Sequence, residues 1–478
     1  MTNKFYVTTP IYYVNDKPHI GHAYTTIAAD VLSRYYRDKK YDVFFLTGTD
    51  EHGNKVAESA QKAGKTPKEF CDEISELFKK SWQNLDIKYD YFVRTTDKRH
   101  IKSVDKFMLK LKEAGAIYQS EYEGLYCTGC EKFITEKELV DGKCPEHNKV
   151  PEKITEKNYF FKLSDYLERV KKLIEDDTIK IRPQNAKNET LGLFKQDLQD
   201  FSISREKVKW GIPLVFDKKQ NVYVWVEALQ NYISSIGYED NKKEFKKWWP
   251  DVLHLMAREI IKFHCIYWPA MLLAISEEPP KSIFVHGYFT IDGQKMSKSL
   301  GNSIDPNFLV EKYGSDATRY LLLCQFPFGQ DGDIKEFLFK EKYNSDLANG
   351  LGNLVSRTLN MIEKYCSGKI PEALKNPKAK ELEEVNDLIP ELKFDEALKK
   401  IWQVIAWANK YIDEEQPWQL AKRNETKKLN KVISELSALI CDLAKVLKPF
   451  MPKISEKITN SLICDKIIKG EPLYPRIN

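Results

Sequence analysis

A β-branched and aromatic run that leads through a short turn into a helical repeat places the tightest constraint on this chain. Phe5-Tyr6-Val7-Thr8-Thr9 reads as a strand, and Ala23, Ile27, Ala28, Val31, Leu32 and Tyr35 recur at helical spacing. Between them lies Lys17-Pro18-His19-Ile20-Gly21-His22, so strand, turn and helix N-terminus follow in sequence. Such a terminus offers backbone N–H groups and the positive end of the macrodipole, which suits a phosphate. His19 and His22 add ring donors, and Gly21 lets the backbone approach a flat ring closely. Two histidines beside a turn also fit satisfied core or surface residues, and a lysine loop alone fits an ordinary basic surface. Lys295-Met296-Ser297-Lys298-Ser299 changes that balance, because its two lysines sit beside small hydroxyl residues. The two stretches together predict a nucleotide held from both sides.

At 478 residues the chain exceeds one ordinary core, so roughly two to four domains are expected. Charged residues make up 30% and no apolar run approaches the length of a bilayer span, which argues against a transmembrane helix. Met1-Thr2-Asn3-Lys4 leads straight into a strand without the pattern of a secretory signal, so the cytoplasm is the expected location. Nine scattered cysteines make no disulfide framework and fit a reducing compartment. With 75 basic against 70 acidic residues, net charge is only +5. Any RNA contact must therefore be local, and the lysines from Lys242 to Lys247 read as a solvated face.

Further along, Tyr41-Asp42-Val43-Phe44-Phe45-Leu46-Thr47 predicts a second buried strand, ending at Gly48-Thr49-Asp50-Glu51-His52-Gly53. Ligands of doubly wound sheets sit at the carboxyl ends of strands, which would place Asp50 and His52 beside the site. The alternative is an Asp capping a helix that starts near Lys55. Cys127 and Cys130, then thirteen residues, then Cys144 and His147, form two knuckles that can close a tetrahedral zinc site. Protein ligands at all four positions predict a structural ion, one per chain; scattered buried thiols are the alternative. Val222-Tyr223-Val224-Trp225-Val226 returns to strand texture, followed by a helix from Glu227 to Tyr232 and another carrying His264, a position that a core histidine would also fit. Ser282–Tyr288 reads as a strand, with a hairpin turn at Asp292-Gly293 leading into the lysine loop. From Asp346 onward three apolar faces, led by Leu347, Leu398 and Leu436, predict a helix bundle.

These readings give an α/β fold with a Rossmann-like parallel sheet, an inserted zinc-knuckle domain and a C-terminal helical bundle. The expected divisions are 1–115 and 222–290 for the two halves of the nucleotide-binding fold, and 116–221 for the insertion. The lysine loop and the stretch after it take 291–345, and the bundle takes 346–478.

His19-Ile20-Gly21-His22 and Lys295-Met296-Ser297-Lys298-Ser299 together resemble the two hallmarks of class I aminoacyl-tRNA synthetases, and further stretches resemble the methionyl branch of that class. The resemblance implies ATP binding by His19, Gly21, His22, Glu259, Lys295, Met296, Ser297, Lys298 and Ser299, with His19, His22, Lys295 and Lys298 catalytic. It maps a methionine pocket onto Ile11, Tyr13, Asp50, Trp225, Ala228, Leu229, Tyr232, Ile260 and His264. Asp50 suits an α-ammonium group, the aromatic rings suit a polarizable thioether, and His264 or a tyrosine hydroxyl suits the sulfur. Anticodon reading falls on Asn353, Arg357 and Trp418; Trp418 alone would more readily be core.

The implied reaction activates L-methionine with ATP and Mg2+, then charges initiator and elongator tRNA(Met), contacted at anticodon and acceptor end, with no DNA or membrane partner. Ala257-Arg258-Glu259 stands where many relatives have Gly-Lys-Asp, which puts the ribose contact in question. No appended oligonucleotide-binding domain follows Ile477, so a monomer is expected. Another class I ligase and a non-catalytic tRNA-binding protein are the rival readings.

Overall fold

The apolar N-terminal run becomes an interior strand of a six-stranded parallel sheet. The computed structural model describes residues 3–127, 132–134, 136, 139–145, 148–291, 293–295 and 303–477, with backbone only for residues 122, 123, 132, 133, 289, 294 and 295. The strands lie in the spatial order Tyr91–Arg94, Asp42–Asp50, Lys4–Tyr13, Val252–Ala257, Ser282–His286, Lys180–Arg182, and every neighbouring pair is parallel. Strand order reverses between Lys4–Tyr13 and Val252–Ala257, and a doubly wound sheet binds its ligand at the carboxyl ends beside such a switch point.

Register aligns Tyr13 with Asp50 at those ends, after a one-residue irregularity between Thr8 and Ile11. Pro10 lies in that interval and has no N–H for the ladder, which favours a bulge there. Gly48 is required for a different reason: a Cβ at this position would lie 2.0 Å from the Val93 carbonyl oxygen of the adjacent strand.

The chain divides into two units, one of Met1–Pro18, Lys40–Trp82 and Lys88–His286, the other of His19–Lys39, Gln83–Ile87 and Gly287–Asn478. The first holds the sheet and its core, which includes Tyr6, Leu46, Phe107, Met256, Trp268 and Ile283. Burying each such side chain contributes about 1.5–3 kcal/mol before chain entropy is counted. Within this unit Ile117–Cys127, Lys132–Ile134, Glu152–Phe161 and Phe201–Ser202 form a separate antiparallel sheet. Lys180–Arg182 lies inside the stretch expected as an insertion, yet it pairs with Ser282–His286 as the edge of the main sheet.

The expected strand at 222–226 is corrected. Only Asn221–Val222 is extended, and Val224–Leu229 is a short helix. Val224, Val226, Ala228 and Leu229 are all buried, and an apolar run buried on every side carries no period to separate strand from helix.

In the second unit, Ile20–Asp38 is the expected helix, with Ala23, Ile27, Ala28, Val31 and Leu32 fully buried. Asp30 is also buried there, paired with Arg319 at 2.7 Å and Arg34 at 2.6 Å. Asn353–Cys366, Phe394–Glu415 and Thr426–Leu447 form the bundle and bury Leu354, Leu398 and Leu436, while Leu347 is buried on the preceding Tyr343–Gly352 and Trp402 is half-buried. Two helices, Pro306–Tyr313 and Ser315–Leu323, already precede the strand Gly332–Ile334, and the continuous helical stretch begins before Asp346, at Glu336–Lys342. Near the end of Phe394–Glu415 the chain turns at Gln416, φ +45°, and restarts at Pro417, the residue best suited to a first helical position.

Candidate active site

Strand ends and two short helices carry most of the predicted pocket residues, all within the first unit. Ile11, Tyr13, Trp225 and Ile260 pack on the main core, to which Leu229 and Tyr232 belong, and Ala228 and Asp50 are also buried. Trp225 stacks on Phe263 with ring centroids 4.2 Å apart and planes 12° from parallel. Phe263–Tyr267 adopts π-helical geometry, a local bulge common at functional sites.

The Tyr232 hydroxyl lies 2.7 Å from His264 Nε2, and His264 Nδ1 lies 3.1 Å from the Ile260 carbonyl oxygen. A carbonyl only accepts, so Nδ1 carries the hydrogen and Tyr232 donates to Nε2. Burial pushes the His264 pKa down to about 4, against the opposing pull of the Ile260 hydrogen bond. Burial also raises Tyr232 far above its ordinary range. The pair is therefore neutral at pH 7 and presents no charge to an apolar side chain.

A polar network supports the end of the strand that carries Asp50. Arg94 grips Glu51 through Nε at 2.6 Å and Nη2 at 3.0 Å, and Thr49 donates to the same carboxylate at 2.7 Å. Trp210 closes the turn from the other side: its indole N–H donates to the Glu51 carbonyl at 2.5 Å, and its own carbonyl accepts from Gly53 at 2.9 Å. The following helix, Asn54–Lys62, starts at Gly53 with no side-chain cap, so Asp50 is not a helix cap. His52 Nδ1 lies 2.9 Å from Glu227 Oε1, and His100 Nε2 lies 2.9 Å from Glu227 Oε2. Burial presses the Glu227 pKa upward, but the two imidazoles outweigh it and hold the carboxyl below its usual value.

In the second unit His19 and His22 close a reciprocal cap on the helix Ile20–Asp38. His19 Nδ1 accepts from the Gly21 N–H at 3.1 Å, and His22 Nδ1 accepts from the His19 N–H at 3.3 Å. Their rings stack at 3.6 Å. Because both Nδ1 atoms accept, both neutral rings carry their hydrogen on Nε2, which suits donation to a phosphate. The Ile20 N–H donates to the Ile304 carbonyl at 3.0 Å.

The predicted hairpin is present: Ile291 pairs with Gln294 and Thr290 with Lys295. Asp333 anchors it by accepting from Thr290 Oγ1 and the Gly293 N–H, each at 2.8 Å. Met296, Ser297, Lys298 and Ser299 lie outside the described residues.

One model of known families, "tRNA synthetases class I (M)", matches residues 5–153 and 146–359, and "Anticodon-binding domain of tRNA ligase" matches 379–475. The methionine–tRNA ligase of Clostridium acetobutylicum is 47% identical over 99% of this chain and 78% of its own length. That of Thermotoga maritima is 44% identical over 99% and 80%. The chain belongs to the class I methionyl-tRNA synthetases. Among solved synthetases of the family, that of Mycobacterium tuberculosis in complex with methionyl-adenylate superposes with a TM-score of 0.92 at 35% identity, covering 99% of each chain. The apo form of the same enzyme gives 0.86 at 32%, covering 100% of this chain and 99% of that one.

In this synthetase fold the remaining predicted residues are dispersed. Glu259 is exposed on the turn Arg258–Ile260, where Arg258 pairs with Glu189 at 2.7 Å. Asn353 Nδ2 donates to Asn409 at 3.1 Å and Arg357 Nη2 to Asp413 at 2.5 Å, forming two rungs between helices. Trp418 is 37% exposed rather than core. Cys127 and Cys144 are buried in one small cluster with Ile134, whereas Cys130 and His147 lie outside the described residues. Among the described residues no group of three or more His, Cys, Asp or Glu is arranged to hold a metal, and no helix is long and apolar enough to cross a membrane.

Sequence reasoning missed Trp210, Glu227 and His100. Glu227 lies between two mapped pocket residues, which is the only signal the sequence carries, since its partners are 175 and 127 residues away.

Proposed function

We infer that the chain activates L-methionine with ATP and transfers it to tRNA(Met). The observation that carries this reading is the neutral Tyr232–His264 pair near the stacked Trp225 and Phe263, aromatic and uncharged surroundings suited to a thioether. In the first step the methionine carboxylate attacks the α-phosphorus of ATP and pyrophosphate leaves. The nucleophile is already ionised, so no general base is needed, and catalysis consists of positioning and electrostatic stabilisation.

Asp50 accepts the α-ammonium group in this reading, while Ile11, Tyr13, Trp225, Ala228, Leu229, Tyr232, Ile260 and His264 enclose the side chain. The Nε2–H groups of His19 and His22 donate to the phosphates. Lys295 and Lys298 attract the pyrophosphate, with Gly21, Met296, Ser297 and Ser299 lining the nucleotide and Glu259 taking a ribose contact. ATP enters as its magnesium complex, which lowers the charge to be overcome. In the second step the terminal ribose hydroxyl of tRNA attacks the adenylate carbonyl and AMP leaves.

Cys127, Cys130, Cys144 and His147 would hold one structural zinc, a role that suits two thiols already buried in one cluster. We assign residues 1–115 and 222–290 to catalysis, 116–221 to the zinc-bearing insertion, 291–345 to the lysine loop and tRNA stem, and 346–478 to the anticodon. Asn353 and Arg357 read base edges and Trp418 stacks on an unpaired base, in a monomer working in the cytoplasm. ATP–pyrophosphate exchange with each of the proteinogenic amino acids, without tRNA, tests the pocket. Exchange with methionine alone is the expected result; exchange with a different amino acid overturns the pocket while keeping the ligase.

A further inference from the structure

We propose that Glu227 is a positioning residue for amino-acid recognition, a buried clamp that sets the distance between the group binding the ammonium and the walls binding the side chain. The inference rests on the methionine-activation reading above and identifies what holds that pocket in shape.

Three segments meet at this carboxylate, and a fourth joins them through His100. His52 follows the strand end bearing Asp50 by two residues and contributes one imidazole at 2.9 Å. The other comes at 2.9 Å from His100, on the helix Lys98–Glu113. Glu227 itself sits in Val224–Leu229, between Trp225 and Ala228. His100 Nδ1 continues to Ser234 Oγ at 2.9 Å, on Asn231–Ser234, the helix that carries Tyr232. Asp50, Trp225, Ala228, Leu229 and Tyr232 are thus all within two residues of a member of one hydrogen-bonded chain.

Two physical points favour positioning over simple stability. Val224–Leu229 has six residues and no side-chain N-cap, and a helix that short does not hold its own orientation. Glu227 is also its single charged residue and is fully buried. A buried carboxylate held by hydrogen bonds contributes little net stability compared with well-packed apolar side chains, but it tolerates few geometries. Two ring nitrogens, one on each oxygen, fix both the tilt of the helix and its approach to the end of the strand.

The test is Glu227→Gln in the full chain, assayed by methionine-dependent ATP–pyrophosphate exchange. The amide keeps the shape but turns an N–H donor toward one imidazole. The KM for methionine is expected to rise about tenfold, with kcat and the KM for ATP within about twofold of the parent. A purely structural glutamate would instead lower the active fraction and leave the methionine KM unchanged, and that result would overturn the proposal. Equal losses toward ATP and methionine would do the same. His100→Phe removes the second arm without touching the pocket and is expected to raise the methionine KM by about threefold; it decides the matter if Glu227→Gln does not fold. A parent chain that shows no methionine-dependent exchange overturns the functional reading itself, whereas a parent that exchanges beside an unaffected Glu227→Gln overturns only the clamp.

Discussion

The proposed amino-acid pocket and the helical face bearing Asn353, Arg357 and Trp418 hold their polar side chains by opposite means. In the pocket, Tyr232, His264, Asp50 and Glu227 are buried, and breaking one bond strands a partner away from water. On the helices, Arg357 reaches an exposed Asp413 and Trp418 stands partly in solvent, so water can replace either contact. Leaving a buried donor unsatisfied costs about 1–3 kcal/mol, whereas an exposed ion pair contributes about 0–1 kcal/mol. The first region is therefore held in one geometry by its own hydrogen bonds, and the second can exchange its contacts with water.

The severest break in this contrast is Asp50→Asn, which removes the charge opposite the ammonium. It should lower kcat/KM for methionine in pyrophosphate exchange by about a hundredfold or more; a loss of only a few fold would place the ammonium elsewhere.

His264→Phe comes next, stranding the Tyr232 hydroxyl. The methionine KM should rise about tenfold, and denaturant unfolding should detect a loss of about 1–3 kcal/mol. This variant also isolates a pH effect. His264 has a folded pKa near 4, below its ordinary 6.5. As pH falls through that window the unfolded chain takes up a proton that the folded chain does not, so the folded state loses stability. Between pH 7.5 and 5 the Tm of the parent should therefore fall further than that of His264→Phe, and parallel curves would contradict the assignment of a buried neutral imidazole.

Trp418→Ala should leave pyrophosphate exchange unchanged and reduce tRNA charging about tenfold, the usual size of one lost base-stacking contact. Equal damage to both assays would make the tryptophan structural. The smallest effect belongs to Asp413→Asn, which should shift unfolding by less than about 1 kcal/mol. A larger shift would mean that this exposed rung behaves like the buried pocket and would erase the contrast.

The candidate site could be proposed from sequence because its signals are local, although Met296, Ser297, Lys298 and Ser299 lie outside the described residues. His19 and His22 lie one helical turn apart, and the two lysine positions lie within five residues. Their tautomers were not legible: that both rings accept at Nδ1 depends on backbone N–H groups whose directions exist only once the helix forms. The strand reading at 222–226 failed where complete burial erased the periodicity that distinguishes helix from strand. Trp418, whose residue type favours the core, stands exposed on the short helix Pro417–Lys422, which buries Pro417 and Leu420 instead.

By itself the sequence determined the strand, turn and helix at the N-terminus, the apolar faces of the bundle and the family, since each depends on residue types at short spacing. Tertiary structure alone decided that Lys180–Arg182 returns to the main sheet, that Tyr232 donates to a neutral His264, and that Glu227 meets His52 and His100. Those outcomes join residues far apart in the chain, and their energetics come from desolvation, which no side chain experiences until the fold has closed around it.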